Sequence, residues 1–170
     1  VEEAVHEDLT QDELYKLIQA YTKSWLAHDG CWFLAVEEAH SIDEAIKMDE
    51  AAWARFAPIE AKRVMDARGI GEGGGLEALA EALDFRMYSF MVEHEMKLED
   101  GVLTHRMLNC RVQSARRRKG LPDFPCKSVG IIEFSNFAKT VDPRIATKCL
   151  ACPPDELAPD EFCSWEFTIG

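Results

Sequence analysis

The stretch that decides the fold is "YSFMVEHEMKLEDGVLTHRMLNCRVQ", residues 88–113. Tyr88, Phe90, Val92, His94, Met96 and Leu98 alternate with Ser89, Glu93, Glu95, Lys97 and Glu99, and Met91 alone breaks the pattern. Successive strand side chains point to opposite faces, so the alternation predicts a half-buried strand beginning near Tyr88. Asp100-Gly101 supplies a hairpin turn, and residues 102–113 read as the return strand. Pairing Glu99 with Val102 sets Glu95 opposite Arg106, a favourable cross-strand charge pair.

Upstream of this stretch the period is helical. Thr10-Gln11-Asp12-Glu13 is a capping box, followed by Leu14, Leu17, Ile18, Tyr21 and Trp25 at helical spacing. Asp29-Gly30 is expected to end or bend that helix. Ser41-Ile42-Asp43-Glu44 opens a second one, and Pro58 marks a break or the first turn of another. "GEGGG" follows a helix and reads as a linker, and "LEALAEAL" as one short helix more. Downstream lie a basic helix, the rigid loop "GLPDFPC", and a helix starting near Cys126 with Pro125 at its entrance. "RIATKCLAC" and "FCSWEFTI" read as two final strands joined by "PPDELAPDE". Helices first and a mostly antiparallel sheet of about four strands later define an α+β chain. One domain is expected over residues 1–170, helical over about 8–84 and sheet-containing over about 85–170, with helices packed on one face.

At 170 residues, 47% apolar and 29% charged, the chain has the composition of a folded domain. No apolar run reaches the length of a membrane span, and no signal peptide is read at the start. Six cysteines in such a chain point to a reducing cytoplasm rather than a disulfide framework. The net charge of −12 argues against nucleic acid as a partner. Residues 106–127 nonetheless carry seven Lys and Arg against Asp123 alone. "ARRRKG" reads either as a solvated helix end complementing the dipole or as a cationic rim for a small anionic ligand.

The candidate chemistry lies in the cysteines. If the last two strands form a hairpin, Cys152 lies close to Cys163 and Cys149 is one Cys-x-x-Cys step away. Thiolates so spaced suit zinc, or alternatively an iron–sulfur cluster, with Cys126 or Cys110 as the fourth ligand. The same pattern also fits plain buried thiols on strand faces, or a redox dithiol. Cys126, at a helix N-terminus, is a candidate thiolate nucleophile, and Glu133 seven residues on shares its helical face as an acid or base. No histidine near Cys126 in sequence completes a Cys–His pair. His94, Met96, His105 and Met107 share a face of the first hairpin, as pocket lining or as haem or copper ligands. His28 with Asp29, together with Glu37, Glu38, Asp49 and Glu50, offers oxygen and nitrogen ligands on helices, but nothing there matches a recognised spacing and solvated helix faces are the default. Phosphate loops, dinucleotide fingerprints and hydrolase elbows are absent from the sequence.

"SWLAHDGCWFLAVEE", "CRVQSARRRKGLPDFPCKSVGIIEFSNFA" and "DPRIATKCLACPPD…CSWEF" resemble a family of uncharacterised prokaryotic cytosolic proteins. That family is similar to the L-2-amino-thiazoline-4-carboxylic acid hydrolase-like proteins and, more distantly, to 4-vinyl-reductase domains. The resemblance implies an α+β module handling a small ligand, and a hydrolase that opens a cyclic amidine. The positions matching its pattern are Cys110, Arg111, Gln113, Arg116, Cys126, Glu133, Arg144, Cys149, Cys152 and Cys163; Cys31 departs from it.

The combined expectation is a small-molecule-binding protein with a thiolate zinc site at Cys126, Cys149, Cys152 and Cys163. Arg111, Gln113, Arg116 and Arg144 would hold an anionic ligand, and Cys126 and Glu133 would act on it. A homodimer is the expected assembly. The competing readings are a non-enzymatic sensor or carrier and a metal-free hydrolase using Cys126.

Overall fold

In the first capping box the Thr10 amide donates to Glu13 Oε2 at 2.8 Å, and the Glu13 amide donates back to Thr10 Oγ1 at 3.3 Å. Two of the helix's orphan donors are thereby satisfied. The computed structural model describes residues 8–157 and 162–170. The first helix, α1 (Gln11–Ala39), runs straight through Asp29-Gly30. An internal glycine costs a helix about 1 kcal/mol. Packing covers that cost, since Trp25 lies 5.5 Å from Phe56 and 6.2 Å from Trp53 on α2 (Ile42–Arg68).

Ser41 caps α2 by accepting the Glu44 amide at 3.2 Å, and Gly69 ends it with φ of 69°. Pro58 sits inside α2 and does not interrupt it. The residues around it, Trp53, Ala57, Ala61 and Met65, are buried, so packing offsets the missing hydrogen bond. A short helix α3 (Gly75–Asp84) follows.

The expected strand does not begin at Tyr88. Residues Met87–Phe90 form a 3-10 turn, and β1 spans only His94–Glu99. Two bonds account for the turn. The Met87 amide donates to Glu60 Oε1 at 3.3 Å, and Ser89 Oγ donates to the Arg86 carbonyl at 2.6 Å. The alternation of Tyr88 and Phe90 is thus consumed by packing on the helices, where Tyr88 stacks 6.1 Å from Trp53. The return strand β2 (Val102–Met107) also stops early, because Cys110 is already the N-cap of α4 (Arg111–Arg118).

After α4 come α5 (Lys127–Val141), β3 (Ile145–Ala151) and β4 (Cys163–Ile169). The four strands lie in the order β1-β2-β4-β3, and every pair is antiparallel. The chain is α+β. Glu99 pairs with Val102 and Glu95 with Arg106, in the register read from the sequence. Leu103, Trp165 and Phe167 are buried on the sheet, and Phe134 of α5 stacks 4.5 Å from Trp165. The contact is close because residue 130 is glycine: a Cβ there would fall 2.7 Å from Trp165 Cζ2. Among the described residues no helix is long and apolar enough to cross a membrane.

Candidate functional site

Between α1, α4, α5 and the sheet lies a cavity of about 460 Å³. Phe33 and Leu34 of α1, Trp53 of α2, Val129 and Phe134 of α5 and Trp165 of β4 make much of its wall apolar. That volume and lining are typical of small-molecule sites. The polar groups set into the wall decide what it can do.

Cys126 is placed by a set of contacts around the start of α5. The Lys127 amide, an orphan donor of the first turn of α5, donates to the Pro153 carbonyl at 3.0 Å. Lys127 Nζ reaches Asp155 Oδ2 at 2.7 Å, and that oxygen also accepts the Cys152 amide at 3.2 Å. The β3–β4 connection is so tied to the start of α5, and the Sγ atoms of Cys126 and Cys152 come to 3.5 Å. From the other side Gln113 Nε2 lies 3.7 Å from Cys126 Sγ.

The hydrogen bond from the Cys152 thiol lowers the Cys126 pKa, outweighing the opposing effect of burial, with Gln113 helping and the Glu133 charge hindering. Cys152, as the donor, is raised well above its ordinary value. Burial pushes Cys110 and Cys149 up to about 11. Cys126 is thus the sulfur in this group favoured as thiolate.

A second polar group centres on Arg86, whose residue is 3% exposed. Its Nη2 donates to Glu60 Oε2 at 2.6 Å and pairs with Glu133 Oε1 at 2.7 Å. Burial opposes its charge, but these carboxylates hold its pKa above the ordinary guanidinium value. Phe137 and Phe134 lie under the guanidinium at 4.7 and 5.4 Å. Burial raises the Glu133 pKa, and the Arg86 charge counters it.

His105 is the third. It is 2% exposed and lines the cavity, yet neither ring nitrogen has a hydrogen-bond partner among the described residues. Burial, the neighbouring His94 and the Arg86 charge lower its pKa to about 3, so the ring is neutral. Its ring meets His94 edge-on at 5.1 Å and Phe134 at 5.9 Å.

The expected metal site is corrected by this geometry. Cys126 does reach Cys152, but among the described residues no group of three or more His, Cys, Asp or Glu side chains is arranged to hold a metal ion. The sulfurs have other roles. Cys163 Sγ accepts the Trp165 indole N–H at 3.4 Å, and Cys126 Sγ has Gln113 Nε2 at 3.7 Å and the Cys152 thiol at 3.5 Å. Cys149 pairs across the ladder with Trp165, and Cys126, Cys149 and Cys163 pack against the core that includes Cys152. The zinc and iron–sulfur readings give way to one buried thiol, Cys152, and three partly buried ones.

The residues expected to hold an anion are differently employed. Arg116 makes a two-pronged pair with Glu37 at 2.6 and 3.0 Å and donates to the Pro122 carbonyl at 2.7 Å. Gln113 exchanges two 2.8 Å bonds with the backbone of Phe124, bracing the loop before Cys126. Arg144 is engaged by Asp142 at 2.6 Å and by the Gly73 carbonyl at 3.1 Å, and it does not line the cavity. Arg111 lies exposed on the cavity's border. Cys126 and Glu133 both line the cavity, as the shared helical face required. Glu60 and Arg86 escaped the sequence reading. Their signal was a carboxylate three and seven residues beyond Ala57 and Trp53, on the apolar face of α2.

The fold and site define an α+β chain whose helices and sheet enclose an apolar cavity with a thiol pair in its wall. The chain belongs to the family of unknown function DUF6125, which it matches over residues 7–169. No curated protein matches it, and no solved structure does.

Proposed function

We propose that the chain binds a small molecule in this cavity and presents Cys126 to it as a nucleophile. The carrying observation is the 3.5 Å approach of the Cys152 thiol to Cys126 Sγ in the wall of the cavity. In the productive step an S–C bond forms at an electrophilic carbon, and the π pair of its C=O or C=N bond passes to the heteroatom, which takes a proton. Collapse expels an amine or alcohol, and water then cleaves the thioester, or the thioimidate that a C=N substrate leaves. Hydrolysis of a small C–N substrate is the catalytic form of this reading. The sensor or carrier is its non-catalytic form, in which the occupant leaves unchanged.

The test uses p-nitrophenyl acetate on a Cys31→Ser background, which removes the exposed thiol. A rapid burst of about one nitrophenol per chain is expected, lost in the further Cys126→Ser variant. A burst that survives Cys126→Ser contradicts the nucleophile.

A further inference from the structure

The cavity carries its negative charge on three helices. Asp29 comes from α1, Asp49 from α2 and Glu133 from α5, and all three line it. The cation set among them, Arg86, is already shared between Glu133 and Glu60 at 2.7 and 2.6 Å. The remaining basic residues on the lining are of a different kind: Lys23, Arg111, Arg118 and Lys119 are solvent-exposed, and Arg116 is engaged by Glu37. Charge on the inner wall is therefore in excess on the acidic side.

An acidic cluster alone does not make a site, but His105 supplies an independent sign of an occupant. Its imidazole is in the same wall, 2% exposed, with both nitrogens unpartnered among the described residues. Buried polar atoms are ordinarily hydrogen-bonded, because an unmet one costs its full desolvation. A neutral ring has one nitrogen that accepts, and its neighbour Phe134 directly follows Glu133 on α5. Its other nitrogen donates, but with the Asp29, Asp49 and Glu133 carboxylates on the same lining acceptors outnumber donors on this wall, with apolar surface around them.

We infer that the occupant is a small molecule with an apolar body and a protonated amino group, the ammonium set against Asp49 and Glu133 and donating one N–H to His105. This rests on the cavity being a small-molecule site, and it reverses the anionic ligand expected from the basic segment. Carboxylates facing one another from separate elements repel, and a cation among them relieves that repulsion.

The charged neighbours of Asp49 fix the direction of the pH effect. Burial, the Asp29 and Glu133 charges and Glu50 raise its pKa to about 7, while a hydrogen bond with Trp53 works the other way. Burial also raises Asp29, against His28. Arg86 stays paired with Glu60 and Glu133, and His105 is neutral well below this range. As pH rises through 7 Asp49 ionises, so cation affinity rises.

The test is calorimetric titration of the full chain with benzylamine and with its uncharged isostere benzyl alcohol, at pH 6 and pH 8. Benzylamine should bind at least about tenfold more tightly than the alcohol at pH 8, and about tenfold more tightly at pH 8 than at pH 6. Asp49→Asn should remove most of the pH dependence, with circular dichroism checking its fold. The amine–alcohol comparison on the parent protein does not depend on that variant. Equal affinities for amine and alcohol, a flat pH profile, or no heat with benzylamine overturns the inference. The nitrophenyl acetate burst reports on the nucleophile separately, so either claim can fail without the other.

Discussion

Cys126 Sγ lies 3.5 Å from Cys152 Sγ, and the two sulfurs have unequal roles. Their contact lowers the pKa of Cys126, at the start of α5, and raises that of Cys152, which is 1% exposed, so it favours Cys126 as the acceptor. The inequality comes from position. Cys126 has the Gln113 amide at 3.7 Å as a further donor, whereas Cys152 is packed into the core.

Removing the donor should therefore weaken the thiolate. In Cys152→Ala the pH at which Cys126 alkylates at half its maximal rate should move upward, while Cys152→Ser, which keeps a donor, should move it less. Iodoacetamide rates between pH 6 and 10, read by peptide mass, check this. An unchanged midpoint in Cys152→Ala contradicts the assigned donor.

The Glu60–Arg86–Glu133 group joins α2, the segment before the 3-10 turn, and α5. Deleting one member leaves buried charge uncompensated, so Arg86→Met should cost about 3–5 kcal/mol of stability. Urea unfolding of parent and variant measures it. A loss under 1 kcal/mol would mean that the two carboxylates find another partner or become protonated at little cost.

Gly130 allows α5 to sit against Trp165, with only 2.7 Å for a Cβ. Trp165 is fully buried, and Phe134 stacks on it at 4.5 Å. Gly130→Ala should destabilise by about 1–3 kcal/mol through overpacking, despite alanine's better helix propensity. A thermal melt decides whether crowding or propensity wins.

Two cavity residues bend the pH–stability curve in opposite directions. Asp49, at about 7 folded against 3.8 ordinarily, binds more proton when folded, so its contribution falls as pH rises from about 4 to 7. His105, at about 3 folded against 6.5, binds more proton when unfolded, so its contribution falls as pH drops below 6.5. Asp49→Asn should gain stability relative to the parent as pH rises toward 8, by about 1–3 kcal/mol. His105→Leu should lose less stability than the parent between pH 6.5 and 4. Urea midpoints at pH 4, 6 and 8 test both signs.

Local chemistry was legible in the sequence. The Thr10 and Ser41 caps, the register of Glu95 with Arg106 and the start of α5 at Cys126 each depend on residues near one another in the chain. What failed depends on distant partners. Tyr88 and Phe90 alternate like a strand, but Glu60, 27 residues before Met87, captures that backbone in a turn. Arg116 reads as a free cation until Glu37, 79 residues away, is seen to hold it. Asp49 reads as a solvated helix residue because nothing local reveals the α1 and α5 carboxylates facing it. The cysteine spacing suggested a metal because spacing cannot tell a ligand set from thiols bonded to one another and to an indole.

The pH–rate profile of Cys126 alkylation in a Cys31→Ser background tests the central claim most directly. The account predicts that iodoacetamide modifies Cys126 ahead of Cys110, Cys149 and Cys152, with a midpoint below the ordinary thiol value of 9.0. Modification of another cavity cysteine first, or a midpoint near pH 9 or above, contradicts it.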